Sequence, residues 1–341
     1  MMAYVLAVDG GNTKTIALIA DIHGSILGTG RSGSSDIYNT VVATRYGLSA
    51  VDFAIANIEA AVQQALHAAH IQPAMLTASV FNLAGADWPE DFEVLQGALR
   101  ERQFGHSIQV QNDALGILHA GSIDNVGVAL VCGTGAATGA RGYDGRIWHS
   151  SFWQRVHGSE HLSQQTIDAV LRVELGLEEP TMLTQRVLQF FRLQTIEEVL
   201  HTLTARQPSS DASLRVHGLT ALLFDEAEAG DCVARRIIRQ HGHALGDYAI
   251  VAARRVGIEQ TSFPLILAGG VFRHPTLLLA DAITERVRDV SPTVQMVRPS
   301  LEPIIGALFT ALERASIKIS PSILNQVLST QPVAPFFDTT S

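Results

Sequence analysis

Three short loops in the sequence combine glycines with polar side chains, and each follows a predicted β-strand. The first is residues 9–15, with the sequence Asp-Gly-Gly-Asn-Thr-Lys-Thr; the second is residues 133–135, Gly-Thr-Gly; and the third is the pair Gly269-Gly270. Because glycine has no Cβ, its backbone can turn with positive φ and bring N–H groups within hydrogen-bonding distance of phosphate oxygens. A single loop of this kind is more often a hairpin turn, but three together favour phosphate binding.

Hydroxyl and ammonium groups in the first two loops could add further donors to a phosphate. The candidate phosphate-binding residues are Gly10, Gly11, Asn12, Thr13, Lys14, Thr15, Gly133, Thr134, Gly135, Gly269 and Gly270. The sequence matches neither the P-loop pattern nor the G-x-G-x-x-G pattern around these glycines, which argues against a P-loop or dinucleotide site.

Two carboxylates stand beside predicted elements where they could act on a phosphate or a hydroxyl. Asp9 directly follows an apolar strand and could hold Mg²⁺ through water, although an Asx-turn is the alternative interpretation. Asp113 lies at the start of a predicted helix, where the helix dipole favours its ionised form and lets it accept a proton from a hydroxyl. The alternative is that Asp113 only caps this helix.

The pattern of apolar residues predicts an α/β first half of the chain. Strands are expected over 4–8, 15–20 and 25–28, and the apolar spacing from Val51 to Leu66 predicts an amphipathic helix. A strand at 79–83, a helix over 90–102, a short strand at 108–110 and a helix over 114–120 follow in this interpretation. Strand and helix therefore alternate, as in α/β domains.

The opening pattern returns after residue 125, which indicates an internal duplication. An apolar run over 126–131 leads into the second glycine loop, a strand at 137–140 and a reversal near Gly145. Helical spacing then predicts a helical insert over about 162–257, followed by a strand at 263–267. We expect a helix to open at Pro275 and another to run from Pro303 to about Arg314, before a Ser-, Thr- and Pro-containing tail expected to be mobile.

Composition narrows the class of protein further. The chain has 341 residues, of which 47% are hydrophobic and 17% charged, so a folded protein of two domains, or of one large domain, is expected. A formal charge of −9 without a basic run argues against nucleic acid as a partner. We find no signal peptide and no stretch long enough to span a membrane, and the 2 cysteines support neither a disulfide framework nor structural zinc, so a cytoplasmic protein is expected.

Two kinds of side chain are expected to be structural rather than functional. Trp88 and Trp153 could stack on a sugar ring, but core packing is the expectation for both. The histidine pairs 67/70 and 241/243 lack the His-Glu-x-x-His arrangement, so solvated helix faces are expected for them.

Together these motifs resemble the BadF/BadG-type ATPase family and, within it, the N-acetylglucosamine kinases. The resemblance covers nearly the whole chain in order and rests on residues 8–15, 112–114, 133–135 and 267–271. It implies a two-domain actin-like ATPase (ribonuclease H-like) fold, with duplicated mixed-sheet domains and a helical insert in the second. The implied boundaries are 1–114 for the first domain, with a C-terminal helix at about 302–320 packing back on it, and 115–301 for the second.

The resemblance also implies an activity and roles for residues. ATP and Mg²⁺ would be bound by the loops and Asp9, and Asp113 matches the general base that takes the proton from a sugar hydroxyl as its oxygen attacks the γ-phosphoryl group. The implied substrate is an amino sugar or related hexose, and assembly as a homodimer is left open. The candidate substrate-binding residues are Asp36, Asn39, Gly85, Asp87, Gly158 and Glu160.

The sequence departs from the kinase pattern on the substrate side. Asp36 and Asn39 both compete for the position of the Asn that lies near the N-acetyl group, and Ser159 replaces an Asp of the Gly-Asp-Glu segment. Ala136 replaces a Ser after the second glycine loop. Two alternatives stay open: an ATPase that activates or regulates a partner protein, as relatives with an iron–sulfur cluster do, and a nucleotide-binding protein that has lost sugar kinase activity. A cluster needs cysteine ligands, and Cys132 and Cys232 lie far apart in the sequence.

Overall fold

The computed structural model describes residues 3–122, 124–206, 218–299 and 301–337. The chain divides into two compact units that do not follow a single cut in the sequence. Unit 1 comprises Met1–Ala129, Gly139–Ser151 and Pro299–Ser341, and unit 2 comprises Leu130–Thr138 and Phe152–Arg298.

The first sheet has five strands in the order β3-β2-β1-β4-β5. These strands are β1 (Tyr4–Gly10), β2 (Thr15–Asp21), β3 (Ile26–Ser32), β4 (Leu76–Leu83) and β5 (Ser107–Asn112). The first three form the predicted antiparallel meander, whereas β4 pairs parallel to β1 and β5 pairs parallel to β4. The carboxyl ends of β1, β4 and β5 therefore meet at one edge of this sheet.

The second sheet also has five strands, in the order β10-β9-β6-β7-β8. They are β6 (Gly127–Cys132), β7 (Ala136–Arg141), β8 (Ile147–His149), β9 (Pro264–Ala268) and β10 (Gln295–Val297). Read from β8 to β10, the strand order is the same as in the first sheet, with β6 in the place of β1. This repeated order confirms the predicted internal duplication.

Helices connect and cover the strands. Those before β6 are α1 (Thr40–Arg45), α2 (Ala50–Ala69), α3 (Pro89–Glu101), α4 (Asp113–Gly116) and α5 (Leu118–Gly121). Those before β9 are α6 (Ser159–Glu174), α7 (Met182–Phe191), α8 (Ile196–Thr204), α9 (Leu219–Ala229) and α10 (Cys232–Val256), where the helical insert is predicted. The last are α11 (Leu278–Arg288), α12 (Pro303–Arg314) and α13 (Pro321–Thr330).

Both faces of the first sheet are covered by apolar side chains, because β1 and β2 are nearly continuous apolar runs. On one face the buried stripe of α2, from Ile55 to Leu66, packs against Leu6, Val8 and Phe81. On the other face α12 packs against Val5, Ala7 and Val80. The sheet is thus held as the middle layer of unit 1, and its carboxyl edge stays free to carry polar side chains.

In unit 2, α10 and α11 pack closely through small residues. A Cβ on Gly242 would lie 2.6 Å from the Cβ of Ala282, and one on Gly246 would lie 2.8 Å from the Cβ of Arg286. Asp231 caps α10, accepting a hydrogen bond from the Ala234 nitrogen. Along the chain, α10 precedes β9, and α11 connects β9 to β10.

Three sequence expectations are wrong in detail. The tail after Arg314 forms α13, with Ser320 as its N-cap, and buries Val327 and Phe337 against the face covered by α12. The helix expected over 114–120 is broken at Ile117, where Gly116, a weak helix former, packs against Asn82 and Gly306.

The helix expected at Pro275 begins instead at Leu278. None of the helices in the described ranges is long and apolar enough to cross a membrane.

Candidate active site

The first glycine loop joins β1 to β2 in a tight turn. The Gly11 nitrogen donates to the Lys14 carbonyl oxygen at 2.9 Å, and the Ser35 nitrogen donates to the Gly11 carbonyl oxygen at 3.1 Å. The Ala84 nitrogen donates to the Gly10 carbonyl oxygen at 2.8 Å, which joins the ends of β1 and β4. The exposed side chains of Asn12 and Thr13 lie at the tip of this loop.

Two predicted phosphate ligands of this loop, Lys14 and Thr15, make structural contacts. Thr15 is buried, and its hydroxyl donates to the Gly33 carbonyl oxygen at 2.7 Å. The Lys14 ammonium group donates to the carbonyl oxygen of Phe337 near the end of the described chain. Both contacts hold segments of unit 1 together, so the loop's backbone, Asn12 and Thr13 are its groups best placed to bind a ligand.

Asp9 is the first residue of the loop and lies near the end of β1, on the face of the first sheet that α12 covers. Its in-register partner on the parallel strand β4 is Asn82. Burial, the largest cause, together with the charge of Glu302 raises the pKa of Asp9 to about 6, although the nearby Lys14 ammonium lowers it.

Four aspartates of unit 1 gather near the carboxyl ends of β4 and β5: Asp36, Asp87, Asp91 and Asp113. A Cβ on Gly85 would lie 2.7 Å from the Asp36 Oδ1, so the 84–87 loop packs directly against this carboxylate. Burial, followed by the charges of Asp87 and Asp91, raises the pKa of Asp36, although a hydrogen bond from the Tyr38 nitrogen opposes the shift. The aspartates are therefore close enough to repel one another.

Asp87 is held by two neutral donors that bind the same carboxylate oxygen. Its Oδ1 accepts from the Ser151 hydroxyl at 2.7 Å and from the Asn112 side-chain nitrogen at 3.0 Å. Burial is the largest cause that raises the pKa of Asp87, and these two hydrogen bonds and His149 oppose the shift. Two fixed donors leave the second carboxylate oxygen of Asp87 to accept from a ligand hydroxyl.

Asp113 is the first residue of α4, directly after β5. Its neighbour Asn112 is the N-cap, whose side-chain oxygen accepts from the Ala114 nitrogen at 3.1 Å. Burial first, and then the charges of Asp9, Asp87 and Asp36, raise the pKa of Asp113 to about 7. Asn112 caps the helix, and the Ala114 nitrogen also donates to the Asp113 carboxyl, which opposes the rise in its pKa. With a pKa near 7, this carboxyl could accept a proton near neutral pH.

Asn39 has a local structural role. It is the N-cap of α1, with its side-chain oxygen accepting from the Val42 nitrogen at 3.4 Å, and its side-chain nitrogen donates to the Ser34 hydroxyl at 3.4 Å. Of the two residues that compete for the sugar contact, Asp36 lies in the aspartate cluster and Asn39 caps a helix.

In unit 2, the second glycine loop lies under the start of α6. The Gly133 nitrogen donates to the Gly135 carbonyl oxygen at 2.9 Å, closing a turn. The Ser159 nitrogen donates to the Gly133 carbonyl oxygen at 2.8 Å, and the Glu160 nitrogen donates to that of Thr134 at 3.3 Å. A Cβ on Gly158 would overlap the carbonyl oxygens of Gly133 and Gly135, so only glycine allows this close approach.

The third loop lies beside the second within unit 2. Gly269 has a φ of +105°, and a Cβ on it would lie 2.5 Å from the Cys132 carbonyl oxygen, one residue before the second loop. Gly133, Gly135 and Gly270 have no heavy atom within 4 Å of where a Cβ would lie, among the residues that the structure describes. Unit 2 thus brings two predicted nucleotide loops together and leaves their glycines open to a ligand.

The residues present fit Mg²⁺ bound together with a nucleotide. The described part of the chain holds no group of three or more His, Cys, Asp or Glu side chains that could bind a metal alone. Mg²⁺ is usually bound through one or two carboxylates, waters and substrate phosphates, so one carboxylate such as Asp9 beside a phosphate-binding loop meets its needs.

Comparison with protein-family models identifies the family of this chain. The model of the BadF/BadG/BcrA/BcrD ATPase family matches residues 6–311, which include the three glycine loops, Asp9 and Asp113. The chain belongs to this family. The resemblance stated from its motifs is therefore confirmed.

The curated proteins that this chain is similar to include sugar kinases. It is 24% identical over 315 residues to N-acetyl-D-glucosamine kinase of Dictyostelium discoideum, a match covering 90% of this chain and 97% of the relative. It is 24% identical over 320 residues to glucosamine kinase GspK of Vibrio cholerae serotype O1, covering 91% of this chain and 96% of the relative.

The fold of this chain is similar to that of a solved structure. The ROK family glucokinase from Streptomyces griseus, in complex with glucose and AMPPNP, matches with a TM-score of 0.56 and 17% identity, covering 91% of this chain and 100% of the glucokinase. The predicted actin-like ATPase fold with duplicated mixed sheets is thus confirmed.

Several partners in the site were missed from the sequence. Ser151 and Asp91 belong to no motif, and Asp87 meets Ser151 across 64 positions of the chain. Asp91 accepts from the Trp88 nitrogen at 2.7 Å and from the Tyr38 hydroxyl at 3.0 Å. Asn112, which binds Asp87, does belong to a motif, because the Asn-Asp pair at 112–113 indicates the start of a helix.

The burial of other side chains differs from the sequence expectations for Trp88, Trp153 and His241. Trp153 is 70% exposed and Trp88 is 39% exposed, so neither fills the core. His241 is buried, with its Nε2 at 2.9 Å from the His157 carbonyl oxygen, rather than on a solvated face. Cys132 is a buried thiol, and burial raises its pKa to about 12.

Proposed function

We propose that this protein catalyses ATP-dependent phosphorylation of an amino sugar, with Asp113 as the general base. The observation that carries the proposal is the Asp113 carboxyl at the end of β5, whose pKa burial and the neighbouring aspartates raise to about 7. A general base is most effective when its pKa lies near the operating pH. Membership of an ATPase family and the sugar kinases among the relatives support the same reaction.

The proposed step is an in-line phosphoryl transfer. The sugar hydroxyl oxygen forms a bond to the γ-phosphorus as the bond to the β–γ bridging oxygen breaks, and ADP leaves with that electron pair. The Asp113 carboxylate accepts the hydroxyl proton. Mg²⁺, when bound, neutralises charge on the phosphate oxygens.

The glycine loops and Asp9 have separate roles in the proposal. In unit 2, the open backbone of the loops at 133–135 and 269–270 binds the nucleotide. In unit 1, the 10–13 loop offers backbone, amide and hydroxyl donors to phosphate, and Asp9 would hold Mg²⁺ through its waters.

The aspartate cluster is proposed to orient the sugar. Asp36 and the free oxygen of Asp87 are acceptors, and sugar hydroxyls and a sugar ammonium or amide are donors, so the cluster suits a donor-rich ligand. Glucosamine and N-acetylglucosamine both satisfy this requirement, and the relatives act on one or the other according to their names.

The test is ATP consumption with a panel of hexoses, with and without an amino or N-acetyl group. We expect turnover that depends on an amino sugar, and phosphorylated sugar as the product. ATP hydrolysis that no sugar accelerates would favour an ATPase acting on a partner protein instead. Nucleotide binding without turnover would favour a protein that has lost kinase activity.

A further inference from the structure

Three side-chain amides of unit 1 form a hydrogen-bonded chain that begins at the surface and ends beside Asp9. The Arg314 Nη1 donates to the Gln109 Oε1 at 2.8 Å, and the Gln109 Nε2 donates to the Gln111 Oε1 at 3.0 Å. The Gln111 Nε2 then donates to the Asn82 Oδ1 at 2.6 Å. We call these residues, Arg314, Gln109, Gln111 and Asn82, the amide chain.

The direction of the amide chain is fixed at its surface end. A guanidinium group has only donors, so Gln109 must present its oxygen to Arg314 and its nitrogen to Gln111. The same constraint passes to Gln111, which must present its nitrogen to Asn82. The orientation of the Asn82 amide therefore follows from chemistry, and its Nδ2 is the donor left over.

This last donor is buried and has no partner. Asn82 is fully buried, and its Nδ2 is without a hydrogen-bond partner in the part of the chain that the structure describes. Gly116 makes room for it, since a Cβ there would overlap this nitrogen. A buried donor left unpaired is destabilising, so a ligand-facing role explains its retention better than packing does.

Asp9 is the in-register neighbour of Asn82 on the side of the sheet away from Gln111. Asn82 lies in register with Gln111 on β5 at one side and with Asp9 on β1 at the other. Side chains in register on adjacent strands lie on the same face, so the three form one polar row at the carboxyl edge. Because the Asn82 oxygen is engaged by Gln111, its nitrogen is left for the Asp9 side.

We propose that Asn82 is a positioning residue for Asp9: its fixed N–H donates to the Asp9 carboxylate, or to a water bound to it. This rests on the proposed function, in which Asp9 holds the Mg²⁺ of the nucleotide. Donation to one carboxylate oxygen orients the other toward the Mg²⁺ waters. Outer partners of this kind typically change metal affinity by about 10–100-fold when they are removed.

The test measures ADP binding by calorimetry with and without Mg²⁺, and takes the ratio of the two dissociation constants. Asp9→Asn is the reference that removes the carboxylate. Asn82→Leu removes the donor at similar volume. Gln111→Glu reverses only the last hydrogen bond of the amide chain, since an ionised carboxylate can only accept and so turns the Asn82 oxygen toward Asp9. Thr310→Val, which removes a buried hydroxyl of α12, is the control for loss of a buried polar group.

We expect Mg²⁺ to tighten ADP binding in the wild type, and this effect to fall about tenfold in Asp9→Asn, Asn82→Leu and Gln111→Glu. Binding without Mg²⁺ and the Thr310→Val ratio stay at the wild-type value. A purely structural Asn82 would lower the melting temperature and leave the ratio unchanged, which would overturn the proposal. Gln111→Glu decides the question if Asn82→Leu does not fold.

The two proposals can fail separately. If the wild type phosphorylates no sugar but the variants lose the Mg²⁺ effect, the sugar kinase function is wrong and the role of Asn82 stands. If the wild type phosphorylates an amino sugar while Asn82→Leu and Gln111→Glu keep the wild-type ratio, the role of Asn82 is wrong. An unchanged ratio in Asp9→Asn also contradicts it, because no metal site would then need positioning.

Discussion

The backbone nitrogen of Ser159 donates to the carbonyl oxygen of Gly133 at 2.8 Å, so α6 begins directly on the second glycine loop. This contact turns the Gly133 carbonyl into the helix and leaves the space above the loop's glycines open. Gly158, one residue earlier, is what allows the two segments to come so close. The loop's shape therefore depends on a residue that lies 23 or more positions away in the chain.

Gly158→Ala is expected to weaken nucleotide binding. The added methyl group would overlap the carbonyl oxygens of Gly133 and Gly135 and push the loop from its place. We expect the KM for ATP to rise about tenfold or more, with a smaller change in the KM for the sugar. Gly97→Ala on α3 is the matched control, since no atom lies within 4 Å of its added Cβ and alanine favours a helix. Equal ATP affinity in both variants would contradict the account.

Asp87→Asn is expected to affect both the sugar and the base. Losing one acceptor charge should raise the KM for the sugar several-fold. Because the Asp87 charge contributes to the raised pKa of Asp113, the acid limb of the rate profile should also move to lower pH. Asp144→Asn, at an exposed ion pair with Arg146, should change neither. If the acid limb stays at the wild-type pH in Asp87→Asn, the Asp87 charge does not affect the pKa of Asp113.

The pH dependence of the wild type follows from the base. With the pKa of Asp113 raised to about 7, kcat/KM for the sugar should rise with pH as one proton is lost and level off above about 7. A profile flat from pH 5 to 8 would argue against Asp113.

The free energy of unfolding should show the opposite trend and fall as pH rises. A carboxyl with a raised folded-state pKa destabilises the native state as pH rises from about 4 to about 7. Asp113→Asn should therefore be more stable than the wild type at pH 8, by up to about 4 kcal/mol at about 1.4 kcal/mol per pKa unit, and equally stable near pH 4. Thermal melts across this range measure the difference.

Phe337→Ala tests the structural role of the C-terminal segment. Phe337 is buried against the face of the first sheet that α12 covers, and its carbonyl accepts from Lys14. We expect a loss of about 3 kcal/mol of unfolding free energy, measured by urea denaturation. Phe336→Ala, at a partly buried neighbour, should cost less. Equal small losses would mean that the segment does not stabilise unit 1.

Much of the fold could be predicted because local patterns agreed with tertiary packing. The strands around the first loop are apolar on both faces, and α2 carries a regular buried stripe, so periodicity alone located them. The duplicated pattern predicted the second sheet, and the repeated strand order confirms it.

The missed features depend on contacts that sequence spacing does not encode. The tail was expected to be mobile because of its Ser, Thr and Pro content, but Ser320 and Pro321 form the start of α13, and its apolar residues complete a face of the first sheet. In the site, Thr15 is turned inward by a hydrogen bond to Gly33, and Ser151 reaches Asp87 only in three dimensions. Asn82 carries no motif at all.

The most direct measurement of the central claim compares wild type and Asp113→Asn in sugar-dependent ATP turnover, with nucleotide affinity measured alongside by calorimetry. The account predicts that kcat falls about 10²–10⁴-fold while the dissociation constant for ADP stays within about twofold. Turnover at the wild-type rate in Asp113→Asn would contradict the assignment of Asp113 as the base and, with it, the proposed mechanism.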